Sequence, residues 1–201
     1  MGRARIGVDF DDVVFSFLQS FVAYCNATLR TSHDVSRITT YNLHDWLGTT
    51  REQAYDLVDQ FYNSPQHRET VPVPDAVEYL TQLSQEADLF LISARPEHTR
   101  RAIEEWLELY APGIFSEIHL TGQFRLGSSA QTKGNIARTL MLDVFIEDSL
   151  RQANDISESG VPVVLLSTRW NAGDVHNLTT RVSAWKEAYE TIRLYITKRV
   201  V

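Results

Sequence analysis

Apolar residues along this chain gather in short blocks of strand length, separated by longer stretches with helical periodicity. Ile6-Gly7-Val8, Leu89-Phe90-Leu91-Ile92, Ile118-His119-Leu120, Val144-Phe145-Ile146 and Val163-Val164-Leu165-Leu166 are each bounded by polar residues, the pattern of buried strands. Between them, Ile103, Trp106, Leu107 and Tyr110 recur at i, i+3, i+4 and i+7, as do Trp185, Ala188, Tyr189 and Ile192, and this spacing predicts amphipathic helices. Gly160 stands where the helix before the Val163 strand should stop. Strands alternating with helices predict an α/β fold with a Rossmann-like parallel sheet covered on both faces. Such sheets carry their chemistry at the carboxyl ends of the strands.

The alternation is interrupted once. Residues 10 to 87 separate the first strand from the second, far more than the dozen or so that a crossover needs. Within that stretch Thr49-Thr50-Arg51-Glu52 predicts a capping box, with Ala54, Leu57, Val58 and Phe61 following at helical spacing. Phe17, Phe21 and Tyr24 have helical character, Val71-Pro72-Val73-Pro74 reads as an extended strap, and Asp75 is placed to cap the next helix. The expected organisation is a core of residues 1–15 and 74–201, with a small helical cap over residues 16–73 inserted after the first strand.

Composition narrows the class. The chain of 201 residues is 43% hydrophobic and 22% charged, ordinary for a globular domain, and no apolar run approaches the roughly 20 residues that span a bilayer. The basic start, Met1 to Gly7, lacks the apolar stretch of a secretory signal, so a cytoplasmic protein without a membrane partner is expected. A single cysteine, Cys25, excludes an intrachain disulfide and predicts a buried, small apolar packing residue. A net charge of −7 without any Lys/Arg run argues against a nucleic-acid polymer as partner. A small anionic substrate remains compatible, and the chain is expected to be a monomer or homodimer.

The candidate chemistry lies at strand ends. Asp9 and Asp11, two apart on an extended segment, project together from the first strand, and Glu147-Asp148 ends the fourth. In a parallel sheet both pairs reach the same edge, and converging carboxylates make a hard-oxygen site of the kind that suits Mg²⁺. The second strand ends in Ser93, whose hydroxyl can donate to a phosphate oxygen. Lys133 opens a helix, in a chain with only three lysines against sixteen arginines; a compact point charge at that place differs in kind from the fork of an arginine.

The ordered set Asp9-x-Asp11, Ser93, Lys133 and Glu147-Asp148 resembles the four signature motifs of the haloacid dehalogenase superfamily. The resemblance implies Asp9 as nucleophile, Asp11 as general acid and then base, and Lys133 and Ser93 as phosphate binders, with Ala94 and Arg95 completing the substrate-binding turn. It also implies a Mg²⁺ ion held by the side chains of Asp9 and Asp148 and the carbonyl of Asp11, with Glu147 holding a metal-bound water or orienting a ligand. Asp12 stands where many members carry Gly. The segments Val8 to Val13, Thr40-Tyr41-Asn42-Leu43 and Arg169-Trp170-Asn171 resemble the 5′(3′)-deoxyribonucleotidase branch, although its members usually have Pro where Arg169 stands. That resemblance implies a mononucleotide substrate, on whose base Phe17, Tyr41, Trp46 and Tyr62 could stack.

Other chemistries fit less well. Gly122 to Gly127 has the glycine spacing of a phosphate loop, but Ser128 occupies the position of its essential lysine. The six histidines show no paired metal-ligand spacing. A dehalogenase would not need Asp11, and a phosphonate hydrolase would need a Schiff-base lysine in its cap, whereas residues 16–74 contain no lysine. A phospho-accepting receiver would carry an Asp at the end of its third strand, where this chain has Leu120-Thr121. The expected function is a Mg²⁺-dependent phosphomonoester hydrolase acting through an aspartyl-phosphate. The alternatives are a phosphatase for another small metabolite such as a sugar phosphate, or a non-catalytic phosphate-binding protein of the same fold.

Overall fold

The computed structural model describes residues 2–126 and 131–198; Gly127 and Ser128, the end of the rejected phosphate loop, lie outside them. The strands are β1 (Ala4–Val8), β2 (Ala87–Ser93), β3 (Phe115–Leu120), β4 (Val144–Glu147), β5 (Val163–Leu166) and β6 (Thr179–Val182). They form one parallel sheet in the order β3-β2-β1-β4-β5-β6. Five of these coincide with the apolar blocks of the sequence. The sixth has the sequence Thr-Thr-Arg-Val and lies at the sheet edge, where a strand needs no continuous apolar run.

Successive side chains in a strand face opposite sides of the sheet, and the two cores follow that rule. Leu89, Leu91, Val144, Ile146 and Val164 enter one apolar cluster, whereas Phe90, Ile92, Phe145, Val163 and Leu165 enter a second. The first is covered by α5 (Ala76–Glu86), α6 (Arg100–Tyr110) and α10 (Trp185–Lys198), the second by α8 (Lys133–Thr139) and α9 (Leu150–Glu158). A short α7 (Gln123–Leu126) follows β3. Each aliphatic side chain fully buried in this way contributes roughly 1.5–3 kcal/mol. No helix among the described residues is long and apolar enough to cross a membrane.

Between β1 and β2 the chain forms α1 (Phe17–Leu29), α2 (Leu43–Leu47), α3 (Arg51–Tyr62) and α4 (Pro65–Arg68). Phe17, Phe21, Cys25, Leu57 and Phe61 from these helices belong to the same apolar cluster as the sheet. Aromatic contacts carry the continuity: Phe10 lies 4.9 Å from Phe15 and 5.4 Å from Trp106, ring centre to ring centre, and the Trp106 indole donates to the Thr70 carbonyl at 2.7 Å. The chain enters and leaves the inserted helices through neighbouring strands of backbone. Val73 N–H donates to the Val14 carbonyl at 2.8 Å and Ser16 N–H to the Val71 carbonyl at 3.2 Å.

Two local expectations are corrected. The capping box of α3 lies one residue further on, between Thr50 and Gln53: Gln53 N–H donates to the Thr50 hydroxyl and Thr50 N–H to the Gln53 amide oxygen. An amide serves there as well as the carboxylate of Glu52 would. Asp75 precedes α5 in a left-handed conformation, φ 65°, and its side chain makes no capping hydrogen bond.

Candidate active site

The strand order reverses at β1: β2 and β3 extend to one side, β4 to β6 to the other. The carboxyl ends of β1 and β4 therefore flank the crevice in which open α/β sheets bind ligands. Val8 is paired with Ile146, so the residues that follow them, Asp9 and Glu147, are neighbours. Asp9 N–H donates to the Ile146 carbonyl at 3.0 Å. Asp9, Glu147 and Asp148 are all buried, and one carboxylate oxygen from each lies within 4.8 Å of the others.

Lys133 reaches this group from the first turn of α8, whose start is capped by the Thr132 side chain. Gly134 brings that turn close: a Cβ there would meet the Asp155 carbonyl oxygen of α9 at 2.6 Å. The fully buried Lys133 ammonium binds the Asp9 carboxylate and donates to Glu147 Oε2 at 2.8 Å. Burial opposes the charge on Lys133, but the attraction of Asp9 and Glu147 outweighs it and raises its pKa. Glu147 is a hub, since its Oε1 also accepts the N–H groups of Asp148 and Ser149 at 3.2 and 3.0 Å.

Asp148 is held from behind. The Trp170 indole donates to its Oδ2 at 2.8 Å, and the Asn171 amide to its backbone carbonyl at 2.6 Å. Its other oxygen, Oδ1, is buried without a hydrogen-bond partner. Burial and the nearby Glu147 raise the pKa of Asp148 well above its ordinary value. Asp9 is raised likewise by burial and then Glu147, against the opposing pull of Lys133. Crowded buried acids with one unpartnered oxygen are what a divalent cation would relieve. Three donors within 4.8 Å of one another need only a small inward movement to reach the about 4.2 Å span across a shell of 2.1 Å radius.

Asp11 has a different partner from the three acids. Its carboxylate is gripped by Arg95, with Nη2 to Oδ1 at 2.6 Å and Nε to Oδ2 at 3.0 Å. The expected metal ligand at this position is the Asp11 backbone carbonyl, which this side-chain pairing leaves untouched. Arg95 itself, expected among substrate binders, is buried and engaged within the protein. Ser93 is fully buried at the end of β2, its Oγ accepting from Arg95 N–H at 3.2 Å, and Ala94 is half-buried beside it. Asp12 has φ 56°, a left-handed conformation that Gly adopts freely and Asp tolerates better than most residues. Its carboxylate accepts Leu18 N–H at the start of α1, and burial raises its pKa to about 7.

A cavity of about 540 Å³, counting the solvent at its mouth, opens above these residues between the sheet edge and the inserted helices. Phe17, Tyr41, Tyr62 and Arg95 line it, as do Phe124 and Trp170. Tyr41 is 42% exposed as a whole residue. Enclosure, then Asp148 and Asp9, raise its pKa well above the usual value. Trp46 does not line this cavity. It packs edge-on against Phe21 and His33 at 6.1 and 5.3 Å, beside a separate surface depression. Phe124 and His67 carried no motif in the sequence; Trp170 stood in a motif that assigned it no task.

Residues 3–199 match the family described as 5′ nucleotidase, deoxy (pyrimidine), cytosolic type C protein. YqfW of Bacillus subtilis is 27% identical over 187 residues, 92% of each chain. A nucleotidase of Clostridium acetobutylicum is 26% identical over 189 residues, 94% of this chain and 93% of its own. Among solved structures, the haloacid dehalogenase-like hydrolase SP0104 of Streptococcus pneumoniae superposes with a TM-score of 0.69 at 15% identity, covering 94% of this chain and 98% of that one. YfnB of Bacillus subtilis, solved with magnesium bound, superposes at 0.65 and 12% identity over 96% and 100%.

Proposed function

Because the chain belongs to the 5′ nucleotidase, deoxy (pyrimidine), cytosolic type C family of phosphomonoester hydrolases, we propose that it cleaves nucleoside monophosphates through a phosphorylated Asp9. The observation that carries this reading is the meeting of Asp9, Lys133, Glu147 and Asp148 at the β1/β4 crevice, with Asp11 two residues from the nucleophile. Lys133 occupies Asp9 Oδ1, which leaves Oδ2 as the attacking oxygen. In the first step that oxygen bonds to phosphorus, the ester P–O bond breaks, and Asp11 protonates the departing alkoxide. In the second, Asp11 takes a proton from water as it attacks the aspartyl-phosphate, releasing phosphate and restoring Asp9. Lys133 stabilises the charge on the transferring group.

A Mg²⁺ ion would be held by Asp9 and Asp148 together with the Asp11 carbonyl, and when bound it would supply positive charge against the phosphate oxygens. The unpartnered Asp148 Oδ1 supports that placement. The helices over residues 16–73 would act as the cap, with Phe17, Tyr41, Tyr62, Phe124 and Trp170 forming an apolar wall for the base. Acid-quench of turnover with phosphate-labelled nucleotide, followed by peptide mapping, is expected to place the label on Asp9 and to find none in Asp9→Asn. Label on Ser93 would overturn the assignment.

A further inference from the structure

Arg95 is a cation at the wall of the cavity, almost wholly withdrawn from solvent. It is 1% exposed, and its guanidinium carbon sits 4.8 Å from the Phe10 ring centre, 4.7 Å from Phe15, 4.5 Å from Tyr62 and 6.0 Å from Phe17. Desolvating a charge so fully is expensive unless its hydrogen bonds are satisfied. Two sets of bonds answer that cost: the forked pair to Asp11, and Nη1 to His67 Nε2 at 2.8 Å. Arginine only donates, so Nε2 accepts and the imidazole is neutral, with its proton on Nδ1. His67 comes from the inserted helix α4, Arg95 from the turn after β2 and Asp11 from the turn after β1. These three elements are tied through this one side chain.

We propose that Arg95 is a positioning residue for Asp11, fixed by an aromatic cage and by His67, and that it holds the Asp11 carboxylate where proton transfer to and from the reacting oxygens takes place. The role rests on the phosphohydrolase reading and deepens it. A planar fork fixes the angle of a carboxylate as a lysine cannot, and a misplaced proton-transfer group loses much of its effect. The consequence is selective. Esters whose alkoxide must be protonated as it leaves depend on Asp11, whereas aryl esters with good leaving groups depend on it far less in the first step.

The test compares a nucleoside 5′-monophosphate with p-nitrophenyl phosphate, each with Mg²⁺, in a single-turnover measurement of phosphoenzyme formation. Arg95→Met is expected to slow the nucleotide by roughly 10²-fold, within the range that general acid–base catalysis supplies, and the aryl ester by less than about 10-fold. Arg95→Lys should restore little of the loss. In an Asp11→Asn background Arg95→Met should add almost nothing, because residues acting as a unit are non-additive. His67→Leu, which keeps both charges and removes only the acceptor of Nη1, should show the same leaving-group bias in weaker form, and covers the case in which Arg95→Met fails to fold. Equal slowing of both esters, full additivity with Asp11→Asn, or His67→Leu without bias in a folded protein would overturn the positioning role alone. A wild-type protein inert toward every phosphate ester would overturn the phosphohydrolase reading and this role together.

Discussion

His67 shows how one buried group sets acid tolerance. Burial, then the neighbouring Arg95 and Arg68, lower its pKa from 6.5 to about 3. The native state therefore stays neutral at His67 between those values while the unfolded chain takes up a proton. Stability from this group is complete above pH 6.5 and falls by about 1.4 kcal/mol per unit as the pH drops toward 3. Urea unfolding of wild type and His67→Phe at pH 7 and pH 5 checks this: the variant should lose less stability between the two, and parallel losses would refute the linkage. His67 also marks the limit of what the sequence discloses about the site. Asp9, Glu147 and Asp148 were legible because strand ends in a parallel sheet must converge, and Lys133 because it opens a helix in a chain with only three lysines. His67 was not, because it acts through Arg95 and no spacing joins residues 28 apart on different elements. Trp46 misled for the related reason that an aromatic at helical spacing gives no sign of which cavity, if any, it faces.

At the level of elements, α8 delivers Lys133, and its approach depends on Gly134. Gly134 N–H donates to Asp155 Oδ2 at 2.9 Å, and the helices are too close for a methyl group. Gly134→Ala forces α8 away from α9, a backbone adjustment costing about 1–3 kcal/mol, and withdraws the ammonium from Asp9. Melting temperature and kcat should fall together; a variant unchanged in both would show that the helix start has slack. The parallel sheet and its inserted helices were readable from the sequence because buried strands are apolar throughout and the gap of residues 10–87 exceeds any crossover. β6 was unreadable: Thr179 and Val182 are buried while Thr180 is exposed and Arg181 is half-buried, a half-polar pattern with no clear period. Its place is fixed instead by pairing with β5 and by Arg181, which donates to Asn171 Oδ1 at 2.6 Å and so supports the segment behind Asp148.

For the molecule as a whole, the acids crowded at the crevice work against folding, and Lys133 offsets only part of that cost. Burial and mutual repulsion hold Asp9 and Asp148 well above their ordinary pKa, so a divalent ion that binds only the folded protein should stabilise it, by about 2.7 kcal/mol at a hundredfold excess over Kd. Thermal denaturation at pH 7.5 should shift upward with MgCl₂ and not with NaCl of equal ionic strength, and Asp148→Asn should abolish the shift. An equal response to both salts would place the effect on general screening of the net charge of −7. The entry and exit of the inserted helices have a consequence of another kind. Because Val14 and Val73 are hydrogen-bonded neighbours, the sheet presents two loose ends already side by side, and lengthening what is strung between them adds only slowly to the entropy of closing the loop. This junction is a socket at which natural variation or a designer can exchange one roof for another while the floor of the cavity stays as it is.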